Sequence, residues 1–115
     1  CTNGRVSDFR MVAEIMRDSE VKEDITLKIV PATRKVYENL LLDGTIQQLF
    51  SAGAIVSHPA CAGCASGQIG MTGEGERQLS CANRNFKGKQ GKGETFLVSP
   101  VIAAASAVKG AISLP

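Results

Sequence analysis

Tryptophan is missing from this chain of 115 residues, which has only one tyrosine and four phenylalanines. Aliphatic side chains must therefore fill the core, and there is no series of aromatics on which successive bases could stack. A strong charge of one sign is missing too. Thirteen Lys and Arg against eleven Asp and Glu leave a formal +2, too little for a general nucleic-acid binder. No apolar run approaches the roughly 20 residues needed to cross a bilayer, and the amino terminus lacks the charged, apolar and cleavage regions of a secretory leader. These absences predict a soluble, cytoplasmic protein with no nucleic-acid partner and no membrane partner. The first residue is Cys rather than Met and opens directly on a motif. We therefore expect 1–115 to be a single domain belonging to a longer subunit.

What is present has the composition of a folded domain, 43% hydrophobic and 21% charged. Ser7 is placed to cap a helix over 7–17, with Asp8 in its first turn and Phe9, Val12, Ala13, Ile15 and Met16 near helical spacing. The β-branched run 25–30, closed by Pro31, predicts a strand. Helices are expected over 33–42, ending before Gly44, and over 45–52, stopping at Gly53. A short buried strand is expected at 54–56, with further strands at 78–82 and 95–98. Pro100 is placed to open an Ala-rich helix reaching Lys109. This alternation predicts a layered α/β domain. Two Gly-rich segments, 63–75 and the basic 86–93, are too long to be simple connectors, and such loops often line ligand sites. Neither has Rossmann or P-loop spacing.

Chemistry concentrates in the cysteines, of which there are four. Cys61 and Cys64 form a C-x-x-C pair, a spacing that serves zinc, iron–sulfur clusters and thiol exchange alike. Pro59 and Gly63 place the pair in a tight loop, which argues against thiol exchange at the start of a helix. Zinc would need four ligands, and Cys1, Cys61 and Cys64 with either Cys81 or His58 could supply them. Three thiolates with the fourth position open would instead suit a four-iron cluster. Spacing leaves both possibilities standing.

The motifs in sequence order are more specific. Cys1-Thr2-Asn3-Gly4-Arg5 opens the chain and Cys61-Ala62-Gly63-Cys64 follows. Asn83-Arg84-Asn85-Phe86 then continues through Gly88, Gln90, Gly91, Lys92 and Gly93 to Leu97-Val98-Ser99-Pro100. In identity and order these segments resemble the aconitase and isopropylmalate dehydratase family of iron–sulfur hydro-lyases. The resemblance implies a three-layer α/β/α domain in which Cys1, Cys61 and Cys64 hold a 4Fe-4S cluster, with one iron free of protein ligands. That iron would act as a Lewis acid on the hydroxyl and carboxylate of a hydroxy di- or tricarboxylic acid as water is lost and re-added. Arg84 matches a family arginine suited to gripping a carboxylate with two parallel hydrogen bonds, and Asn83 would orient a polar group beside it. Lys89 stands where the family motif has a second arginine; it keeps the charge but loses the planar fork. Cys81 is read as a buried thiol and not a fourth ligand.

The resemblance also implies what the chain lacks. The family's base is a serine on a swivelling domain or small subunit, so no catalytic residue is assigned here and the isolated chain is expected to be inert. The C-T-N-G-R opening and the G-K-G continuation favour the isopropylmalate dehydratase branch, which interconverts 2- and 3-isopropylmalate in leucine biosynthesis, over aconitase or homoaconitase. From a different class, the rival reading is a non-catalytic domain in which a metal with a saturated ligand set ties Cys1 to the 61–64 loop and stabilises the fold. Other features read as ordinary. Lys87, Lys89 and Lys92 accompany a single aromatic, Phe86; His58 before Pro59 fits a loop; Asp8 fits a helix terminus; Glu74 and Glu76 fit a solvated turn.

Overall fold

The structure, a computed structural model, describes residues 4–60, 70–82 and 90–115. Helix α1 spans Val6–Ile15 with Arg5 as its extended N-cap residue. Ser7 is therefore not the cap. It lies in the first turn, and the terminus is closed by the Asp8 carboxylate, which accepts the Arg5 N–H at 3.1 Å. An acid three residues beyond the cap position can reach back to a main-chain donor that the helix leaves unpaired. Helix α2, Arg34–Leu42, is capped by Thr33, whose hydroxyl oxygen accepts the Val36 N–H at 3.2 Å. Gly44, at φ 84°, turns the chain into α3, Thr45–Ser51. Helix α4, Pro100–Lys109, has Ser99 accepting the Ile102 N–H at 3.3 Å, proline in its first turn and Gly110 at φ 81° after its last residue.

The strands form two separate two-stranded parallel sheets. In the first, β1 (Lys28–Ile29) pairs with β2 (Ile55–Val56). The expected strand over 25–30 contracts to two residues because strand length belongs to the pair, and only the short segment 55–56 is available opposite. Leu27 and Ile29 carbonyls accept from Ile55 N at 2.8 Å and Ser57 N at 2.9 Å, which completes the ladder. The buried strand expected at 54–56 is corrected in part: Ala54 is buried, but Ile55 is 51% exposed. In the second sheet, β3 (Arg77–Ser80) pairs with β4 (Glu94–Leu97), setting Arg77 opposite Glu94 and Leu79 opposite Phe96.

The buried cluster is aliphatic apart from Phe9, as the shortage of aromatics requires. Helix α1 supplies Phe9, Val12, Ala13 and, just past its end, Met16; Leu40 and Leu49 of α2 and α3 are fully buried, and Ile29 joins them from β1. Ala104 of α4, also fully buried, faces this cluster, and its small side chain lets α4 lie close against α1. None of the buried residues in the cluster comes from β3 or β4. The α/β character stands, with the second parallel pair set apart from the packed centre.

Candidate functional site

A cavity of about 1140 Å³ lies between the α1/α4 side of the molecule and the β3–β4 pair. Phe9, Val12 and Ala104 line one side, and Gln78, Ser80 and Cys81 the other. Its volume is just above the usual range of small-molecule sites. Gly4, Ala60, Gly70, Ala82 and Gln90 also line it. These are the residues that flank the segments 1–3, 61–69 and 83–89, which carry every candidate cluster ligand and substrate-binding residue read from the sequence. Cys1, Cys61, Cys64, Asn83, Arg84 and Lys89 themselves lie outside the described residues. Thus residues that flank all three segments stand at the wall of one cavity.

Local chemistry fixes those ends. Gly4, at φ +86°, offers its carbonyl to Ala32 N at 3.0 Å, and a Cβ there would lie 3.1 Å from the Val30 carbonyl oxygen. The opening motif is thereby pinned to the chain between β1 and α2, at a position that needs glycine. Thr72, three residues past 61–69, is bonded to the residue that follows 83–89. Its N–H and its hydroxyl both donate to the Gln90 carbonyl, at 2.7 and 2.6 Å, and the same hydroxyl oxygen accepts Gly93 N at 2.9 Å. Gly91, at φ +98°, approaches Thr72 so closely that a Cβ would collide with the Thr72 backbone. The residue that follows 83–89 is therefore tied to a residue just beyond 61–69.

Gln90 is 2% exposed. Gln78 Nε2 donates to its Oε1 at 2.7 Å, while Gln90 Nε2 is buried without a hydrogen-bond partner. Cys81 is half-buried, and its thiol is pushed up to about 11, first by burial and then by the negative charge of Asp8. Such a thiol is protonated and poorly nucleophilic at neutral pH. His58 is exposed in a loop, where its carbonyl accepts the Ser57 hydroxyl at 2.8 Å. Glu74 and Glu76 are exposed in a turn, and Glu76 closes it by accepting the Gly73 N–H. Among the described residues no cluster of His, Cys, Asp and Glu could hold a metal ion.

The donor chemistry nonetheless suits a cluster. Cys1, Cys61 and Cys64 would offer three soft thiolates, one fewer than the irons of a four-iron cluster. Residues on either side of the segments that carry them line a cavity large enough for a small acid. Thr72, Gln78 and Gln90 gain their importance only here. Gln90 was visible as part of a motif, but nothing in its spacing distinguished a buried amide from a loop residue.

A family model described as the aconitase family (aconitate hydratase) matches residues 1–110. A probable 3-isopropylmalate dehydratase large subunit of Methanothermobacter thermautotrophicus is 45% identical over 117 aligned residues. A 3-isopropylmalate dehydratase large subunit 1 of Methanopyrus kandleri and a 3-isopropylmalate dehydratase large subunit of Clostridium botulinum are each 44% identical over the same length. Each match takes in 100% of this chain and 28% of the relative. The chain thus spans little more than a quarter of the length of these curated relatives.

Proposed function

This chain belongs to the aconitase family, and from that membership we propose that it is the cluster-carrying part of a 3-isopropylmalate dehydratase large subunit. The observation that carries the proposal is the convergence of Gly4, Ala60, Gly70, Ala82 and Gln90 on one cavity. In this reading Cys1, Cys61 and Cys64 hold a 4Fe-4S cluster within a three-layer α/β/α domain. When bound, the cluster supplies a Lewis-acidic iron open to substrate.

The chain's own polar residues would then bind and orient the acid. Arg84 grips one carboxylate through its planar fork, Asn83 orients a neighbouring polar group, and Lys89 contributes a point charge. The overall change is loss of water from a branched hydroxy dicarboxylic acid and its return at the adjacent carbon, interconverting 2- and 3-isopropylmalate in the cytoplasm. The base that moves the proton comes from a small subunit or swivelling domain. Within this chain Asp8 and Glu76, the acids lining the cavity beside α1 and β3, already accept the main-chain N–H groups of Arg5 and Gly73.

Anaerobic reconstitution with iron and sulfide tests the reading. A brown species with about four irons per chain, lost in Cys61→Ser and kept in Cys81→Ser, is the expected result. One tightly held zinc that depends on Cys81, with no sulfide, would instead make this a structural metal domain.

A further inference from the structure

We propose that Gln90 is a substrate-binding residue whose side-chain amide nitrogen donates to a carboxylate oxygen of the hydroxy acid. The inference rests on the hydro-lyase reading above and deepens it by adding a specificity contact. Gln90 is 2% exposed and lines the cavity at the point where the chain leaves 83–89. Its main chain is immobilised by Thr72, which donates to the Gln90 carbonyl from both its N–H and its hydroxyl. Its side chain is immobilised by Gln78, whose amide takes one end of the Gln90 amide at 2.7 Å. The other end, Nε2, is left buried with no partner among the described residues.

A buried N–H without an acceptor bears the full cost of leaving water, so native proteins rarely tolerate one unless something else occupies that place. A cavity-lining glutamine fixed at its backbone and at one amide end, with the other end unpaired, is a preorganised hydrogen-bond donor. A carboxylate is the acceptor that fits: it offers only acceptor oxygens, and the charge strengthens the bond. Among the described residues the cavity wall carries Lys28 and Arg77 beside Asp8, Asp24 and Glu76, two cations against three acids. A neutral, directional donor can select the position of one carboxylate without adding to that balance. Loss of such a contact discriminates strongly, because the site's buried polar group is then left unpaired.

The test uses the full-length large subunit, loaded with its cluster and joined to its small subunit, with 2-isopropylmalate as the probe. Calorimetric Kd, KM, kcat, iron and sulfide content, and the rise in Tm on adding the probe are measured for wild type, Gln90→Glu and Gln90→Met. Gln90→Glu keeps the shape and turns the donor into an anionic acceptor. Kd and KM should rise at least about tenfold, with iron and sulfide unchanged. Gln90→Met removes the donor but also takes the acceptor from Gln78 Nε2, so affinity and the probe-induced rise in Tm carry the test: Kd should rise and the probe-induced rise should shrink. A purely structural glutamine would leave both unchanged, and that result overturns the proposal. If Gln90→Glu folds poorly, Gln90→Met decides alone, and unchanged affinity in it is equally fatal. Wild type that carries the cluster but binds no hydroxy acid sinks the hydro-lyase reading along with this inference. Wild type that binds, with both variants binding equally well, sinks this inference only.

Discussion

Cys81 shows how a residue's surroundings set chemistry that its identity leaves open. In sequence it could equally complete a zinc site or fill space; in the fold it is half-buried at the cavity wall, with burial and then Asp8 raising its pKa to about 11 from an ordinary 9.0. Because the folded pKa exceeds the unfolded one, this thiol's contribution to stability is complete below pH 9. It is lost as the pH climbs through the folded value. We expect the wild-type melting temperature to fall more steeply between pH 9 and 11 than that of Cys81→Ala, as followed by circular dichroism. Equal slopes for the two proteins would mean that the thiol is no better shielded than in the unfolded chain. Sequence makes candidates where chemistry rests on residue type, as with the C-x-x-C pair and the Asn-Arg-Asn run, both outside the described residues. The site was not legible where function rests on burial. Thr72 and Gln90 are 18 residues apart, and neither reads as special until the two are hydrogen-bonded.

At the scale of elements, local signals read well and partnered ones poorly. Helix α4 starts at Pro100 and ends at Lys109 as its sequence predicts, since the capping serine, the first-turn proline and the terminal glycine all act within a few residues of each end. The α1 start was misread because Ser7 and Asp8 both suit a helix terminus, and only the Arg5–Asp8 hydrogen bond decides between them. The strand expected over 25–30 was overextended, because the ladder ends where the partner strand ends, while those expected at 78–82 and 95–98 begin one residue earlier, at Arg77 and Glu94. How α1 meets α4 depends on Ala104, fully buried opposite Phe9 and its neighbours in the core. Ala104→Leu should force the two helices apart and destabilise the protein by about 1–3 kcal/mol. Urea unfolding measures this directly, and a neutral result would mean that the adjoining cavity absorbs the extra methyl groups.

For the whole molecule, the separation between the packed cluster and the β3–β4 pair matters most. Gly4, beside the first motif segment, is tied to the β1–α2 connection, and Gln90, after the last, is tied to Thr72. Of the described acids that line the cavity, Asp8 and Glu76 already accept main-chain N–H groups. Leu42 at 80%, Phe50 at 71% and Leu114 at 73% exposure show that much apolar surface remains outside the core. The chain aligns with only 28% of its relatives' length, so chemistry can be divided between this part and the rest of such a protein. The isolated 115-residue chain, even when reconstituted with iron and sulfide, is therefore expected to dehydrate no 2-isopropylmalate. A coupled absorbance assay for the unsaturated acid, run beside a full-length large subunit with its small subunit, is the check. Turnover by the isolated chain at a rate near that of the full enzyme would place the base on this chain. Asp24, which lines the same cavity, would be the first residue to replace.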